Sequence, residues 1–335
     1  MLSIRERIEA EEQQRLSPYA VLSTQTKGRD RAEPPCDYRT AFQRDRDRVI
    51  HCKAFRRLKH KTQVFIAPMG DHNRTRLTHT LEVTQIARSI ARALRLNEDL
   101  TEAMSLAHDL GHTPFGHTGE DMLDKLCQGG FRHYTQSLRV VEVLEKDGMG
   151  LNLTPEVRNG IANHTGSHKP DTLEGYVLKY ADKIAYVNHD IDDAMRAGIL
   201  SESDIPDAVV RTLGASHSDR IDALITNIIE TSLDKNYVKM SDEVEEMFMS
   251  LRDFMFAKVY DYPQKRNEER KANYIIEAMF HHFVSHTEQL PEEYRAGLEK
   301  WETDRIVCDY IAGMSDDYAV STYNSIFVPK SWTVF

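Results

Sequence analysis

The stretch Leu77–Leu94 reads LTHTLEVTQIARSIARAL, and its apolar residues Leu77, Leu81, Ile86, Ile90 and Leu94 recur at the spacing of one helix face. The same period returns in Leu100, Met104, Ala107 and Leu110, and again in Val177, Ile184, Val187 and Ile191. Alternation of the β kind is scarce. About residues 204–313 the pattern continues in IDALITNIIETSL, VEEMFMSLRDFMF and ANYIIEAMFHHFV, with turn signals at Asp261-Tyr262-Pro263 and Gln289-Leu290-Pro291. The expected class is all-α.

The chain has 335 residues, 40% of them apolar and 29% charged, which fits one large domain or a domain with a helical extension. No internal repeat or Ser/Gly-rich linker cuts it. The loops are residues 23–35, Gly129-Gly130 and 166–172, with the first expected to be mobile. The expected division is an N-terminal helix and loop over 1–36, a core over 37–200 and a helical C-terminal region over 201–335.

The N-terminus MLSIRERIEAEEQQRL is charged throughout, and no segment approaches the roughly 18 uncharged apolar residues of a membrane span. The expectation is a cytoplasmic protein with no membrane partner. Cys36, Cys52, Cys127 and Cys308 are scattered, which predicts reduced thiols and neither a disulfide framework nor a zinc ribbon. A net charge of −10 argues against a general nucleic-acid coat, yet Arg39–Lys61 alone carries nine Lys/Arg against two Asp. That run reads either as a solvated helix face or as a local positive field for a polyanion. Phe42, Phe55, Leu58, Val64 and Phe65 interleave with the charges as if the segment also packs.

Polar residues interrupt the apolar faces at particular points. LAHDLGHTPFGHTGE, residues 106–120, sets His108 and Asp109 among Leu106, Ala107 and Leu110. His79 stands near the start of the first quoted helix, and Asp182 lies in YVLKYADKIAYVNHDIDDAM between Ala181 and Ile184. A buried carboxylate is costly unless it is paired or bound to a cation. Two imidazoles and two carboxylates make a mixed N/O set of formal charge −2, suited to Mn, Fe, Co or Mg with open positions rather than to a closed zinc site. Such an ion lowers the pKa of water for hydrolysis. The bland alternative for each residue alone is structural, with Asp109 capping a helix or pairing with an arginine such as Arg76. A protease reading of HDLGH fails because Gly111 and Pro114 end the helix and the acid is Asp rather than Glu.

Beyond the break, His117 and Glu120 lie three apart, so on a helix they share a face and the carboxylate can orient the imidazole for proton transfer. Asp182, Tyr186 and Asp190 fall at i, i+4 and i+8, with Lys183 alongside.

His79, His108-Asp109 and Asp182 resemble the H…HD…D pattern of HD-domain metal phosphohydrolases. The strings around them are closer still to the deoxyguanosine triphosphate triphosphohydrolases and their dNTP-hydrolysing relatives: AFQRDRDRVIHCKAFRRLKHKTQVF, RLTHTLEV, AHDLGHTPFGHTGE, FRHYTQSLRVVEVL, TLEGYVLKYADKIAYVNHDIDDA and, more weakly, VYDYPQKRNEERKANYIIEAMF. The resemblance covers about residues 37–283. It implies an HD-domain helical bundle extended by a mostly helical C-terminal region, and an enzyme that splits a deoxynucleoside triphosphate into deoxynucleoside and intact triphosphate. It implies that His79, His108, Asp109 and Asp182 hold the divalent metal, that His117 is the catalytic histidine supported by Glu120, and that His112 and His133 lie near the phosphates. Arg76 and Lys183 would bind triphosphate, Gln63 and Asp190 the sugar, and Tyr186 would exclude a 2′-hydroxyl. Relatives assemble as tetramers or hexamers, some activated by a nucleotide.

Three departures bear on the transfer. Tyr134 follows His133 where relatives commonly carry Asn, Cys52 stands where Ser is frequent, and only 72 residues separate Asp109 from Asp182, without the long insertion of dGTP-specific members. Competing readings are another HD phosphohydrolase acting on monophosphates, cyclic nucleotides or an alarmone, and a non-enzymatic nucleotide or single-stranded nucleic-acid binder.

Overall fold

The computed structural model of the chain describes residues 2–63, 74–260 and 262–330, and of residues 263–265 the backbone only. Val64, Phe65, Asp261 and the Lys265 side chain lie outside the described residues. Helices dominate: α1 Ile4–Arg15, α2 Ala41–Ile50, α3 Lys53–Arg57, α4 Arg76–Ala93, α5 Glu98–Ala107, α6 Gly116–Leu126, α7 His133–Arg139, α8 Glu145–Gly148, α9 Pro155–Asn163, α10 Leu173–Arg196, α11 Asp207–Leu213, α12 His217–Ser232, α13 Asp242–Met255, α14 Pro263–Ser285, α15 Glu292–Arg295, α16 Thr303–Ala312 and α17 Asp316–Phe327. The α8 turn is distorted, with Lys146 and Asp147 left-handed. Extended pairing among the described residues is limited to an isolated bridge between Thr62 and Thr75.

Several helices start where a short polar side chain can satisfy the open backbone N–H groups. Ser3 with Glu6, Thr40 with Gln43 and Ser216 with Asp219 form reciprocal capping boxes, and Asn97, Ser241 and Ser315 cap α5, α13 and α17. Each such cap contributes about 1 kcal/mol.

By contacts the chain forms two compact units that interleave along the sequence. The first comprises Met1–Cys52, Thr78–His108 and Leu151–Tyr262, the second Lys53–Leu77, Asp109–Gly150 and Pro263–Phe335. In the first, α5 packs on α2, α9 and α10, and α10 packs on α9, α12 and α13. Leu100 and Met104 on α5 and Val177, Leu178, Ile184, Val187 and Ile191 on α10 are fully buried, each worth about 2 kcal/mol of apolar transfer. The stripe on α4 differs from the expected one. Leu81 is 50% exposed, and the buried face runs through Thr80, Val83, Ile86, Ala87, Ile90 and Ala91. Ile86 and Ile90 are inward as expected, while Thr80, Val83, Ala87 and Ala91 take the inward positions that the large Leu81 suggested for itself.

Carboxylates tie the loops of this unit to its helices. Glu12 accepts from the Ser23 N–H at 2.7 Å and hydroxyl at 2.8 Å, and Asp45 accepts from the Thr154 N–H at 2.9 Å and is ion-paired with Arg29. Glu156 takes the Thr26 hydroxyl at 2.8 Å and the Lys27 N–H at 2.9 Å, so the 23–35 loop is anchored. The basic run is largely spent in the same way: Arg39 pairs with Asp47, Arg44 and Arg48 with Glu33, and Arg46 with Asp47, Asp99 and Glu102. For these four arginines the charge is paired within the protein rather than left as an open positive field.

In the second unit α6 packs on α14 and α16, and α14 packs on α17. Phe115, Leu123, Ile276, Met279, Phe283, Val307 and Ile311 form its core. Asp309, fully buried on α16, accepts from Gln136 at 2.9 Å, Arg139 at 2.8 Å and Arg305 at 2.9 Å. A cavity of about 280 Å³ beside these groups is lined in part by Arg57, Arg139, Tyr294 and Trp301. All four cysteines are free thiols.

Glu174 gives the first unit a pH signature. Its Oε1 accepts from the N–H groups of Val21 at 3.0 Å and Asn97 at 3.1 Å, and its Oε2 is buried with no partner among the described residues. Burial raises its carboxyl from 4.5 to about 7. The folded chain therefore keeps a proton that the unfolded chain releases. This contribution is full below the unfolded pKa of 4.5 and is lost as pH rises through about 7. Glu174→Gln keeps the acceptor oxygen and cannot ionise. Between about pH 5 and about pH 8 the parent should lose up to about 3 kcal/mol more stability than the variant. Parallel denaturant midpoints for the two proteins over that range would sink the assignment.

Candidate active site

In the first unit two helices and a helix end bring three of the four expected metal ligands together. α4 presents His79, α5 ends into His108, and α10 presents Asp182. His79 Nε2 lies 3.3 Å and His108 Nε2 3.8 Å from Asp182 Oδ1, with the two rings 5.8 Å apart. Tautomers explain why the nitrogens aim there. His108 Nδ1 lies 2.6 Å from the Ser105 carbonyl, an acceptor only, so it carries the proton and the Nε2 lone pair points at Asp182. Burial acts to raise the Asp182 carboxyl, but the hydrogen bond from His79 and the imidazoles of His108 and His164 outweigh it and hold it below its ordinary value. Two imidazoles gathered around an ionised carboxylate supply the donor chemistry of a divalent cation site. The residues present fit such an ion.

Asp109, covalently next to His108, belongs to the second unit. Arg76 Nη1 lies 3.0 Å from Asp109 Oδ2, both groups buried, so the pairing that the sequence offered as the structural alternative is real. Arg76 Nε is also buried, with no partner among the described residues. His112 Nε2 lies 3.2 Å from Asp109 Oδ1. Burial, then the Arg76 charge, pushes His112 well below the usual imidazole range, so it is neutral at pH 7.

The chain then turns through left-handed Phe115 and Gly116 into α6. Gly116 has φ +59°, and a Cβ there would come within 3.2 Å of Arg76 Nη2 and 3.4 Å of the Gln63 carbonyl, so glycine admits both neighbours. Asp316 holds the turn, taking the Phe115 N–H at 3.0 Å and the Thr62 hydroxyl at 2.7 Å. On α6, His117 Nδ1 is 3.3 Å from Glu120 Oε2 while its side chain is 75% exposed. Glu120 is buried and also meets His133 Nδ1 at 2.9 Å. Burial acts to raise Glu120, yet its bonds to His117 and His133 and the nearby imidazoles drive it far below the usual carboxylate range. His112 stacks on His133 at 4.0 Å.

Thus the expected residues fall into two groups: His79, His108 and Asp182 in the first unit, and Asp109, Arg76, His112, His117, Glu120 and His133 in the second. Lys183, Tyr186 and Asp190 follow Asp182 along α10. Lys183 Nζ lies 6.0 Å from the Tyr180 ring. Burial and the Asp182 charge push the Tyr186 hydroxyl well above its ordinary value, so it is a neutral aromatic wall. The Tyr260 hydroxyl donates to Asp190 Oδ2. Gln63 Oε1 is buried with no partner among the described residues.

Sequence reading missed several members. His164 is buried, its ring 5.0 Å from His108. His189 reaches His79, and Glu82 reaches His189. Their signal was present: His189 is seven residues after Asp182 and Glu82 three after His79, both helical repeats on the ligand side. Ser105 and Tyr260 gave none, since one acts through its carbonyl and the other lies far along the chain.

An all-helical fold carrying this constellation is that of an HD phosphohydrolase. The HD domain profile matches residues 76–187, and that of the Phosphohydrolase-associated domain matches residues 238–325. The chain belongs to the deoxyguanosinetriphosphate triphosphohydrolase-like family. It is 56% identical to a deoxyguanosinetriphosphate triphosphohydrolase-like protein of Caldanaerobacter subterraneus subsp. tengcongensis, over 99% of this chain and 98% of the relative. Proteins of the same description from Clostridium perfringens (strain 13) and Geobacter metallireducens are 48% and 40% identical, covering 98% and 97% of this chain and 99% and 98% of their own lengths. HD domains bind divalent metals, in keeping with the donors described. Among the described residues no helix is long and apolar enough to cross a membrane.

Gly111 matters to this site for space. A Cβ there would stand 2.1 Å from the Ser137 backbone nitrogen and 2.6 Å from the His133 carbonyl, so Gly111→Ala must push apart the loop that carries His112 and the helix that carries His133. We expect a loss of about 3 kcal/mol or more. A thermal midpoint within a degree or so of the parent would show that the loop is not packed as described.

Proposed function

We propose that the protein hydrolyses deoxynucleoside triphosphates, dGTP among them, to deoxynucleoside and inorganic triphosphate with a divalent metal ion. The observation that carries the reading is the Glu120–His117 pair: a buried, ionised carboxylate behind a solvent-facing imidazole. Binding alone gives no reason for that pairing, whereas proton transfer does. In this reading His79, His108 and Asp182, with Asp109 from its place beside His108 in the chain, hold the ion. When bound it supplies an activated water and neutralises phosphate charge.

The chain's own groups do the rest. In its imidazolium form His117 donates its Nδ1–H to Glu120, which aims its Nε2–H to deliver a proton to the departing 5′ oxygen. Arg76 and Lys183 meet the triphosphate charge, and Arg76 brings a buried guanidinium whose Nε–H seeks an acceptor. His112 and His133, stacked and oriented by Asp109 and Glu120, lie near the phosphates in this reading. Gln63 and Asp190 bind the sugar, Asp190 being positioned by Tyr260. The Tyr186 ring fills the space that a 2′-hydroxyl would take. Residues 37–200 would carry these functions in a cytoplasmic homo-oligomer of four or six chains. An activating nucleotide is part of the proposal, and single-stranded nucleic acid is the secondary partner.

The test is product analysis with Mn²⁺, Mg²⁺, Co²⁺ or Fe²⁺, each dNTP alone and all four mixed. Deoxynucleoside with intact triphosphate is expected, and turnover only in the mixture would identify nucleotide activation. Orthophosphate or pyrophosphate in its place would move the protein to another HD phosphohydrolase class. His117→Ala should lower kcat about 10²- to 10⁴-fold with metal content unchanged, and parent-like turnover in that variant would remove His117 from catalysis. Tyr186→Ala should hydrolyse ATP and GTP faster than the parent; if it does not, the tyrosine is no ribonucleotide filter.

A further inference from the structure

His189 and Glu82 have no role in the proposed chemistry, yet they stand directly behind a metal ligand. His189 is buried on α10, one helical repeat beyond Asp182, and its Nδ1 lies 3.4 Å from His79 Nδ1. Its Nε2 lies 3.2 Å from Glu82 Oε2, and Glu82 sits one turn along α4 from His79. The two rings meet edge-on at 87°, and His217 at the start of α12 stacks on the far face of His189 with centroids 5.9 Å apart. Arg220 is buried on α12 and donates to the neighbouring Asn188 side chain at 2.9 Å, which fixes α10 at this level.

Only one proton arrangement satisfies these distances when His79 binds a cation. Its Nε2 faces Asp182, so the metal takes that lone pair and Nδ1 must carry the ring proton. An Nδ1–H can be received only by a lone pair, so His189 Nδ1 must be bare and His189 must hold its proton on Nε2. That N–H then points at a carboxylate, which Glu82 supplies. We propose that Glu82 and His189 form an outer relay that locks the tautomer and ring plane of His79 and so sets the affinity of the metal site. They are positioning residues, and the inference rests on the metal-site reading above.

The experiment is equilibrium titration of metal-stripped protein with Co²⁺, read by its visible absorption and by competition with a chelator. The parent, His189→Leu and Glu82→Gln are compared, with circular dichroism to verify folding. Removing an outer partner of a ligating histidine typically weakens metal binding about 10- to 100-fold. That loss is expected for His189→Leu, with a loss of roughly threefold or more for Glu82→Gln. Glu82 is partly solvent-exposed, so its conservative variant should fold even if the leucine variant does not. A Glu82→Gln protein that binds Co²⁺ as tightly as the parent overturns the relay, whatever the leucine variant does. A parent that fails to bind Co²⁺, Mn²⁺ or Fe²⁺ overturns the metal-site reading itself, a different result from tight binding in parent and variants alike.

Discussion

A carboxylate removed from water costs several kcal/mol unless donors or a cation meet it, and the placement of nearly every working group here follows from how that demand is met. Glu12, Asp45 and Glu156 are met by backbone N–H groups and hydroxyls, and in meeting them the loops of the first unit are fixed. Asp316 and Asp309 do the same for the second unit, one holding the turn into α6 and the other gathering Gln136, Arg139 and Arg305. Glu120 and Asp182 are met by imidazoles instead. An imidazole can give up or take a proton near neutral pH, or lend its lone pair to a metal, so the device that stabilises a loop becomes chemistry when the partner changes. Glu174 marks the other limit: two N–H groups do not offset its burial, and it takes a proton.

Much of this was legible in the chain. The 3.6-residue period located the long helices, and short polar residues followed three positions on by Glu, Gln or Asp marked several starts. The motif residues, polar in apolar surroundings, marked the site because such positions are rarely tolerated without a function. What sequence hid were the partners. Four arginines of the basic run looked like a positive surface, yet the acids that neutralise them include Glu33, Asp99 and Glu102 from other segments. Ser105 contributes a carbonyl, which every residue has. Tyr260 meets Asp190 from seventy residues away. Leu81 shows the converse error, where a large side chain suggested an inward position and the buried face instead runs through Thr80, Val83 and Ala87 beside the expected Ile86 and Ile90.

The helix period also explains why the site can be built from so few segments. On α10, positions i, i+4, i+7 and i+8 from Asp182 hold Asp182, Tyr186, His189 and Asp190, so the proposed metal ligand, aromatic wall, outer-relay histidine and sugar-binding acid lie along one side of a single rod. On α4, His79 and Glu82 repeat the arrangement one turn apart. Two rods carrying matched repeats meet in rungs: His79 with Asp182 and, beyond it, His189 between His79 and Glu82. Inserting one residue between Asp182 and His189 would rotate the later group by about 100° and break the upper rung while leaving the lower one intact. The fully buried Ile191 and Ala194, which follow His189 on α10, resist that rotation, because it would bring them out of the core. The apolar packing thus does more than stabilise the fold: it sets the register in which His189 reaches His79, the contact on which the proposed relay depends.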